Sequence, residues 1–344
     1  MAAITPSFTF DLESNMRTIT SREYERLTRN LWWTRVGKRM SSQSKKERLS
    51  WLLDTAKIER PQGLKGGQIA FEDIVAVTME IESLNANAGL KLKKEQLEDL
   101  DGNGIQLATH WSRQMGAYAA YWPQKCIADA IRTNPVGYDS KAFFATDHPL
   151  NPYNTGAGTY KNIFTSTSSG IYPGAVPIDT SVTVDTAIQN VAKAIAYTAS
   201  IAMPNGLDPR FLRVGGIMVP PALVARAQQI TNAKFIAQAA GSAAGSGDVE
   251  AVVRNFGFGQ PIEAPELGSA FGGSDTTWYL LMEEITSDEL GAFIYVDREP
   301  FSVVYHGPMT DAELARKREF QWTTEGRNVV SPGHPFLLFQ CLAA

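Results

Sequence analysis

The sequence predicts an α+β protein with two cores, and three observations carry that prediction. A long amphipathic stretch runs from Asp101 to Arg132, β-patterned sequence flanks it on both sides, and 344 residues at 44% hydrophobic and 20% charged composition supply enough apolar material for two globular units. Within the long stretch, apolar or aromatic side chains recur near helical spacing at Ile105, Leu107, Trp111, Met115, Tyr118, Trp122, Cys126 and Ile131, after a helix-start signature at Asp101-Gly102-Asn103-Gly104. Pro123 lacks an amide hydrogen and crowds the preceding turn, so the rod is expected to kink there or to restart with Pro123 in a first turn. At about 1.5 Å per residue the two pieces span roughly 40 Å, a frame on which two sheets can hang.

Residues 1–20 are polar, carry Pro6 and show no clear period, so they read as an extended arm that needs a surface to lie on. Thr20-Ser21 can cap a short helix over Arg22 to Trp33, with Tyr24, Leu27 and Leu31 on one face. From Val36 to Val77 comes a two-legged loop. It is basic at its start (Lys38, Arg39, Lys45, Lys46, Arg48), strand-like at Leu49-Ser50-Trp51-Leu52, turning at Pro61-Gln62-Gly63 and Gly66-Gly67, and apolar again at Ile69, Phe71, Ile74, Val75 and Val77. An isolated hairpin is marginally stable in water, so this one is expected to lie on another surface.

Ala76 to Leu84 alternates as a strand, and Leu90 to Leu100 reads as a helix or a strand-to-helix lead-in. Residues 134–177 are dense in turn chemistry, which predicts a functional surface loop or a segment ordered by a neighbour. Ser181 to Ala202 predicts a helix with Ala187, Val191, Ala194, Ile195 and Thr198 on its inner face. Phe211 to Val219 reads as a buried strand, and Pro220-Pro221 opens a helix from Ala222 to Ile230. Gly241 to Gly247 reads as a flexible loop. Strands follow at Thr277 to Met282, Ala292 to Val296, Phe301 to Tyr305, Phe320 to Thr324 and Pro335 to Leu342.

A net charge of −4 gives no chain-wide basic excess for nucleic acid. Cys126 and Cys341 stand in no metal or redox spacing and read as reduced, buried thiols. No run approaches about 20 apolar residues, and Met1 to Phe10 lacks a basic region followed by an apolar one, so a soluble protein of a reducing compartment is expected.

Few motifs carry chemistry. Asp99-Leu100-Asp101-Gly102-Asn103-Gly104 fits the first half of a calcium loop, but the twelfth position is His110 where a bidentate glutamate is needed, so the stretch reads as a helix cap. Asp147 and His148 are adjacent, with no nucleophile elbow to serve, and read as a turn stiffened by Pro149. His306 and His334 read as turn residues, and no glycine loop carries the lysine of a phosphate cradle. The basic stretch from Arg35 to Arg48 admits three readings: subunit contact, solvated face or nucleic-acid patch. Acidic residues at Glu263, Glu266, Asp275, Glu283, Glu284, Asp288 and Glu289 favour subunit contact, because complementary patches on one chain steer identical copies together.

The order of elements resembles the HK97-fold major capsid proteins of tailed bacteriophages, and in particular the Mu-like major head subunit (gpT) family. The residues that carry the resemblance are Leu49-Ser50-Trp51-Leu52, Gly66-Gly67-Gln68, Phe71-Glu72-Asp73, Phe143-Phe144-Ala145-Thr146-Asp147-His148-Pro149, Val219-Pro220-Pro221-Ala222-Leu223, Trp278-Tyr279-Leu280-Leu281 and the stretch from Arg316 to Arg327. The resemblance implies an N-terminal arm (1–36), an extended E-loop hairpin (37–75) and a peripheral domain (76–179) with a spine helix (101–132) and the irregular loop (134–177). An axial domain (180–310) and a return to the peripheral domain (311–344) complete the layout.

As function it implies a major capsid protein that self-assembles into pentamers and hexamers, forming an icosahedral shell around phage DNA held without sequence-specific binding. Implied partners are further copies of the chain, a portal protein, a separate scaffolding protein and a decoration protein, with no membrane and no cofactor. The implied location is the virion capsid, assembled in the host cytoplasm. Candidate subunit contacts are Lys38, Arg39, Lys45, Lys46, Arg48, Trp51, Leu52, Phe71, Asp147 and His148. No acceptor or catalytic acid for a covalent crosslink can be placed by motif. The competing readings are an encapsulin-like compartment shell of the same fold and an enzyme with an unrecognised site.

Overall fold

The computed structural model describes residues 6–52, 76–95, 103–165, 167–204, 208–232, 235–236, 249–250, 259–284, 291–307, 310, 313, 316 and 319–342. In chain order the elements are α1 (Pro6–Thr28), α2 (Trp33–Val36), β1 (Gly37–Ser41), β2 (Lys46–Leu52), β3 (Ala76–Glu82), β4 (Leu84–Lys93) and α3 (Asn103–Thr133). Then come β5 (His148–Pro149), β6 (Thr159–Tyr160), β7 (Ile163–Phe164), α4 (Val184–Thr198), β8 (Leu212–Val219), α5 (Val224–Asn232), β9 (Phe235–Ile236) and β10 (Val249–Glu250). The chain closes with β11 (Ile262–Glu263), β12 (Trp278–Glu284), β13 (Phe293–Tyr305), β14 (Glu319–Pro332) and β15 (Leu338–Cys341). Two sheets dominate: a four-stranded one ordered β1-β13-β14-β4 and a five-stranded one ordered β11-β8-β12-β15-β7.

The N-terminus corrects the reading of an extended arm. Residues from Pro6 to Thr28 form a helix, and Leu12, Met16 and Thr20, four residues apart, share its buried face. That row packs with Leu92, Ala108, Val303, Phe320 and Trp322. In the sequence Leu12, Met16 and Thr20 are flanked at the same four-residue spacing by Phe8 and Tyr24, a helical period that the extended-arm reading passes over. The helix runs parallel to α3: the Thr20 hydroxyl donates to the Ser112 carbonyl at 3.2 Å, and further on the Trp32 amide donates to Gln124 Oε1 at 3.1 Å.

The long helix is present, and two details of it differ from expectation. It is a single helix of 31 residues with Pro123 inside it, neither broken nor restarted. Pro123 is buried, and its neighbours Gln124, Ile127 and Ala128 are held in the large core, so packing carries the helix across the missing hydrogen bond. The second difference is the inward face. Ala108, Ser112, Ala119 and Ala120 are buried, while Leu107 and Tyr118 are 49% and 62% exposed. The small row wins because α1 comes so close: a Cβ on Gly116 would lie 2.5 Å from the Thr20 carbonyl oxygen.

Residues 134–178 correct the surface-loop expectation. Phe143, Phe144, Tyr160, Phe164, Tyr172, Val176 and Ile178 are all buried in the large core. Irregular backbone can be buried when side chains satisfy its polar groups. Here Asn134 Nδ2 donates to the Phe144 carbonyl at 3.1 Å and Asn134 Oδ1 accepts from the Phe144 amide at 2.7 Å, while Asn162 Oδ1 accepts from the Ala145 amide at 2.8 Å.

The expected helix over 181–202 forms as α4, capped by Thr183 on the Thr186 amide, with Ala187, Val191, Ala194, Ile195 and Thr198 all buried. For Leu90 to Leu100 the strand-to-helix alternative holds as far as the described residues go: β4 pairs antiparallel with β14 from Leu84↔Asn328 to Lys93↔Glu319, and helix begins at 94–95. The two strands expected at 292–296 and 301–305 are one, β13, whose register against β14 shifts between Asp297 and Ser302. Asp99 to Gly102 and Gly241 to Gly247 lie outside the described residues.

Candidate functional site

Most of the candidate contact residues stand on the hairpin and the sheet that carries it. Strands β2 and β3 pair antiparallel over seven rungs, from Lys46↔Glu82 to Leu52↔Ala76. Leu49 and Ile81 on the hairpin join Val296 in a small core with Met40, Met79, Tyr138, Ile294 and Val329. Side chains alternate across a sheet. Ile294, Val296 and Val329 therefore lie on the face opposite Asn328, which accepts from Trp122 of α3 at 2.7 Å. The four-stranded sheet thus holds α1 and α3 on one face and the root of the hairpin on the other.

The basic candidates are paired within the chain. Lys45 reaches Glu82 at 2.8 Å, Lys46 reaches Glu80 at 3.3 Å, and Arg48 donates to Thr78 Oγ1 at 3.3 Å. The Lys45 hydrogen bond holds the Glu82 carboxyl below its usual range. Arg39 pairs with the buried Asp297 and donates to Tyr24 Oη at 3.4 Å, and Lys38 is exposed on β1. Trp51 and Leu52 stand opposite Val77 and Ala76 in the ladder; Phe71 lies outside the described residues.

Asp147 and His148 part company. Asp147 pairs with Lys141 near the surface. His148 is fully buried, which removes it from the candidate contacts and corrects its reading as a turn residue. Its Nδ1 lies 2.5 Å from Asp139 Oδ2, and its Nε2 lies 3.1 Å from the Phe143 carbonyl and 3.0 Å from Asn162 Oδ1. Asn162 Oδ1 already accepts from an amide, so every partner of the ring is an acceptor. The ring is thus held among acceptors inside the core, with Asp139 against one nitrogen, and is stacked on Tyr160. Asp139, eight positions before Asp147 in the sequence, gave no motif signal of this role.

Among the described residues the acidic set divides between core and surface. Glu266 is buried, accepting from Trp32 Nε1 at 3.2 Å and Gln124 Nε2 at 2.7 Å, so it ties the N-terminal segment and α3 to the second sheet. Glu284 is buried beside Arg210, Glu283 pairs with Arg213 at 2.9 Å, and Asp275 accepts from Ser269. Asp288 and Glu289 lie outside the described residues. Burial pushes the Cys126 thiol up to about 12 and the Cys341 thiol well above its ordinary value, so both are unreactive. Among the described residues no His, Cys, Asp and Glu group could hold a metal ion, and no helix is long and apolar enough to cross a membrane.

Two family profiles match the chain. That of the Mu-like prophage major head subunit gpT matches residues 12–175, and that of phage capsid protein matches residues 97–323. The chain belongs to the phage capsid protein family. The capsid of cyanophage P-SCSP1u superposes with a TM-score of 0.52 at 14% identity, covering 90% of this chain and 86% of that one, which shows the HK97-like capsid fold. The procapsid of bacteriophage JBD30 follows at TM-score 0.47 and 14% identity, covering 99% and 77%. The SrpI encapsulin of Synechococcus elongatus PCC 7942 gives 0.48 at 10% identity, covering 90% and 86%. No curated protein matches the sequence. The capsid protein is a major capsid protein of a phage: a structural subunit that associates with copies of itself and resides in the virion shell.

Proposed function

We propose that copies of this capsid protein close an icosahedral shell as rings of five and six, and that the hairpin bridges neighbouring subunits. The observation that carries this reading is the way the hairpin is rooted. Its base is anchored through Leu49 and Ile81, and Lys45 and Lys46 pair with Glu82 and Glu80 across the ladder, so the root of the arm is fixed to the sheet. A fixed root matters because association costs conformational entropy, and strands already ordered have less to lose. Many modest contacts repeated by closed symmetry then add to a stable shell.

In this reading 1–36 is the arm, 37–75 the E-loop, and 76–179 with 311–344 the peripheral domain. Residues 180–310, with α4, α5, β8 and β12, form the axial domain at the centre of each ring, except that β13 joins the four-stranded sheet of the peripheral part and β15 the five-stranded sheet of the axial part. A separate scaffolding protein, a portal protein and a decoration protein are its partners. Assembly takes place in the host cytoplasm, and DNA is enclosed without sequence-specific contacts. The test keeps the ladder and removes the reach: residues 53–75 are replaced by Asn-Gly, a two-residue hairpin turn. Folded, soluble subunits that form no closed particles in electron micrographs are expected; normal particles from this variant refute the bridging role.

A further inference from the structure

The two large sheets have four edges, and three are blunted. Strands β7 and β11 are two residues long, and β1 is five residues long with Lys38 and Arg39 exposed. Natural proteins protect edges in these ways because unpaired backbone groups template pairing with another chain. The fourth edge is β4. It runs ten residues in unbroken register with β14, and among the described residues β14 is its only strand partner. Its charges, the exposed Lys91 and Lys93, stand in its last three residues, while its first six, Leu84-Asn85-Ala86-Asn87-Ala88-Gly89, contain no charge and no proline. Leu84, on the same face as Ala86 and Ala88, is 66% exposed.

Gly89 supplies an independent observation. Its φ is not positive, and a Cβ built on it would meet only the Trp322 carbonyl at 3.8 Å and a Thr323 methyl at 4.0 Å, ordinary contacts. Nothing among the described residues calls for glycine there, although glycine weakens a strand. A glycine inside a strand marks a bulge, a bend or a site where another backbone approaches closely, and the unbroken register excludes the bulge.

We propose that β4 is a docking strand whose open edge pairs with an extended segment of a second copy of the capsid protein. Backbone hydrogen bonds supply the affinity, and the neutral side chains of residues 84–89 let the incoming backbone approach without burying a charge. A second copy is the occupant because self-association is this family's function and each such contact repeats over the shell. The proposal rests on the shell reading and deepens it.

Hydrogen exchange of the full chain, as dissociated subunits and as shells, tests the idea. Amides of residues 84–90 that point away from β14 should exchange at least tenfold more slowly in shells. Gly89→Val should leave the subunit's unfolding midpoint unchanged or raised, since valine favours strands, and should lower particle yield at least tenfold; Asn87→Lys should do the same by blunting the edge. Wild-type shells with unchanged exchange in β4, or both variants assembling at normal yield, overturn the strand proposal and leave the shell reading standing. Protection that requires a different phage protein overturns the second-copy assignment, and a wild-type chain that forms no multimer overturns both readings.

Discussion

The two sheets of this capsid protein are finished to different degrees. The five-stranded sheet is closed off: both edges are short, and its core takes in α4, α5, the C-terminal half of α3 and the irregular segment 134–178. The four-stranded sheet is left open, with the root of a hairpin on one face, an edge at β4 that is uncharged over its first six residues, and Leu107 and Tyr118 exposed on the helix that covers its other face. One half is a body and the other is an attachment. A subunit that must be stable alone and adhesive in company can separate the two demands this way.

The comparison breaks first if the body is not where stability resides. Phe143 is fully buried among Phe144 and Phe293, so Phe143→Ala should cost roughly 3–5 kcal/mol in denaturant unfolding, by lost transfer energy and the cavity left behind. Next comes the buried contact between His148 and Asp139. His148→Ala strands the Asp139 carboxylate and should cost about 3 kcal/mol, whereas Asp147→Ala, one residue away on an exposed pair, should stay within about 1 kcal/mol. Equal losses from the two would remove the distinction between core and surface in this segment.

Acid should weaken the body through His334. Burial, aided by Arg210, lowers its ring to about 3 from an ordinary value of 6.5, so the folded state binds fewer protons than the unfolded state. The sign follows: this contribution is complete above pH 6.5 and is lost as pH falls towards 3. The loss at pH 5 is on the order of 2 kcal/mol, and His334→Gln should flatten the unfolding-versus-pH curve in that window. The smallest effect on folding belongs to the attachment half. Trp51→Ala should change unfolding free energy by less than about 1 kcal/mol while sharply reducing particle assembly, and equal losses in both would assign Trp51 to an ordinary core.

Large side chains made much of this legible. The extent of α3, the inner face of α4, the strand and helix around Pro220-Pro221 and the order of elements that resembles a capsid subunit could all be read from positions of Trp, Leu, Ile and Pro. The contact candidates were less legible, because pairing partners are distant in sequence. Lys45 and Lys46 meet Glu82 and Glu80 only once the hairpin closes, and Arg39 meets Asp297 only across the sheet. The edge at β4 carries no sequence signature, since being an edge is a property of strand order.

By itself, then, the amino-acid order determined which stretches are helix or strand and which family they compose, since periodicity and local turn chemistry act over a few residues. Tertiary structure alone decided which face of α3 points inward, that residues 6–28 coil against it, and that His148 is buried among acceptors. Those outcomes depend on close approach at Gly116 and on acceptors brought together around one ring, and neither exists until distant segments pack.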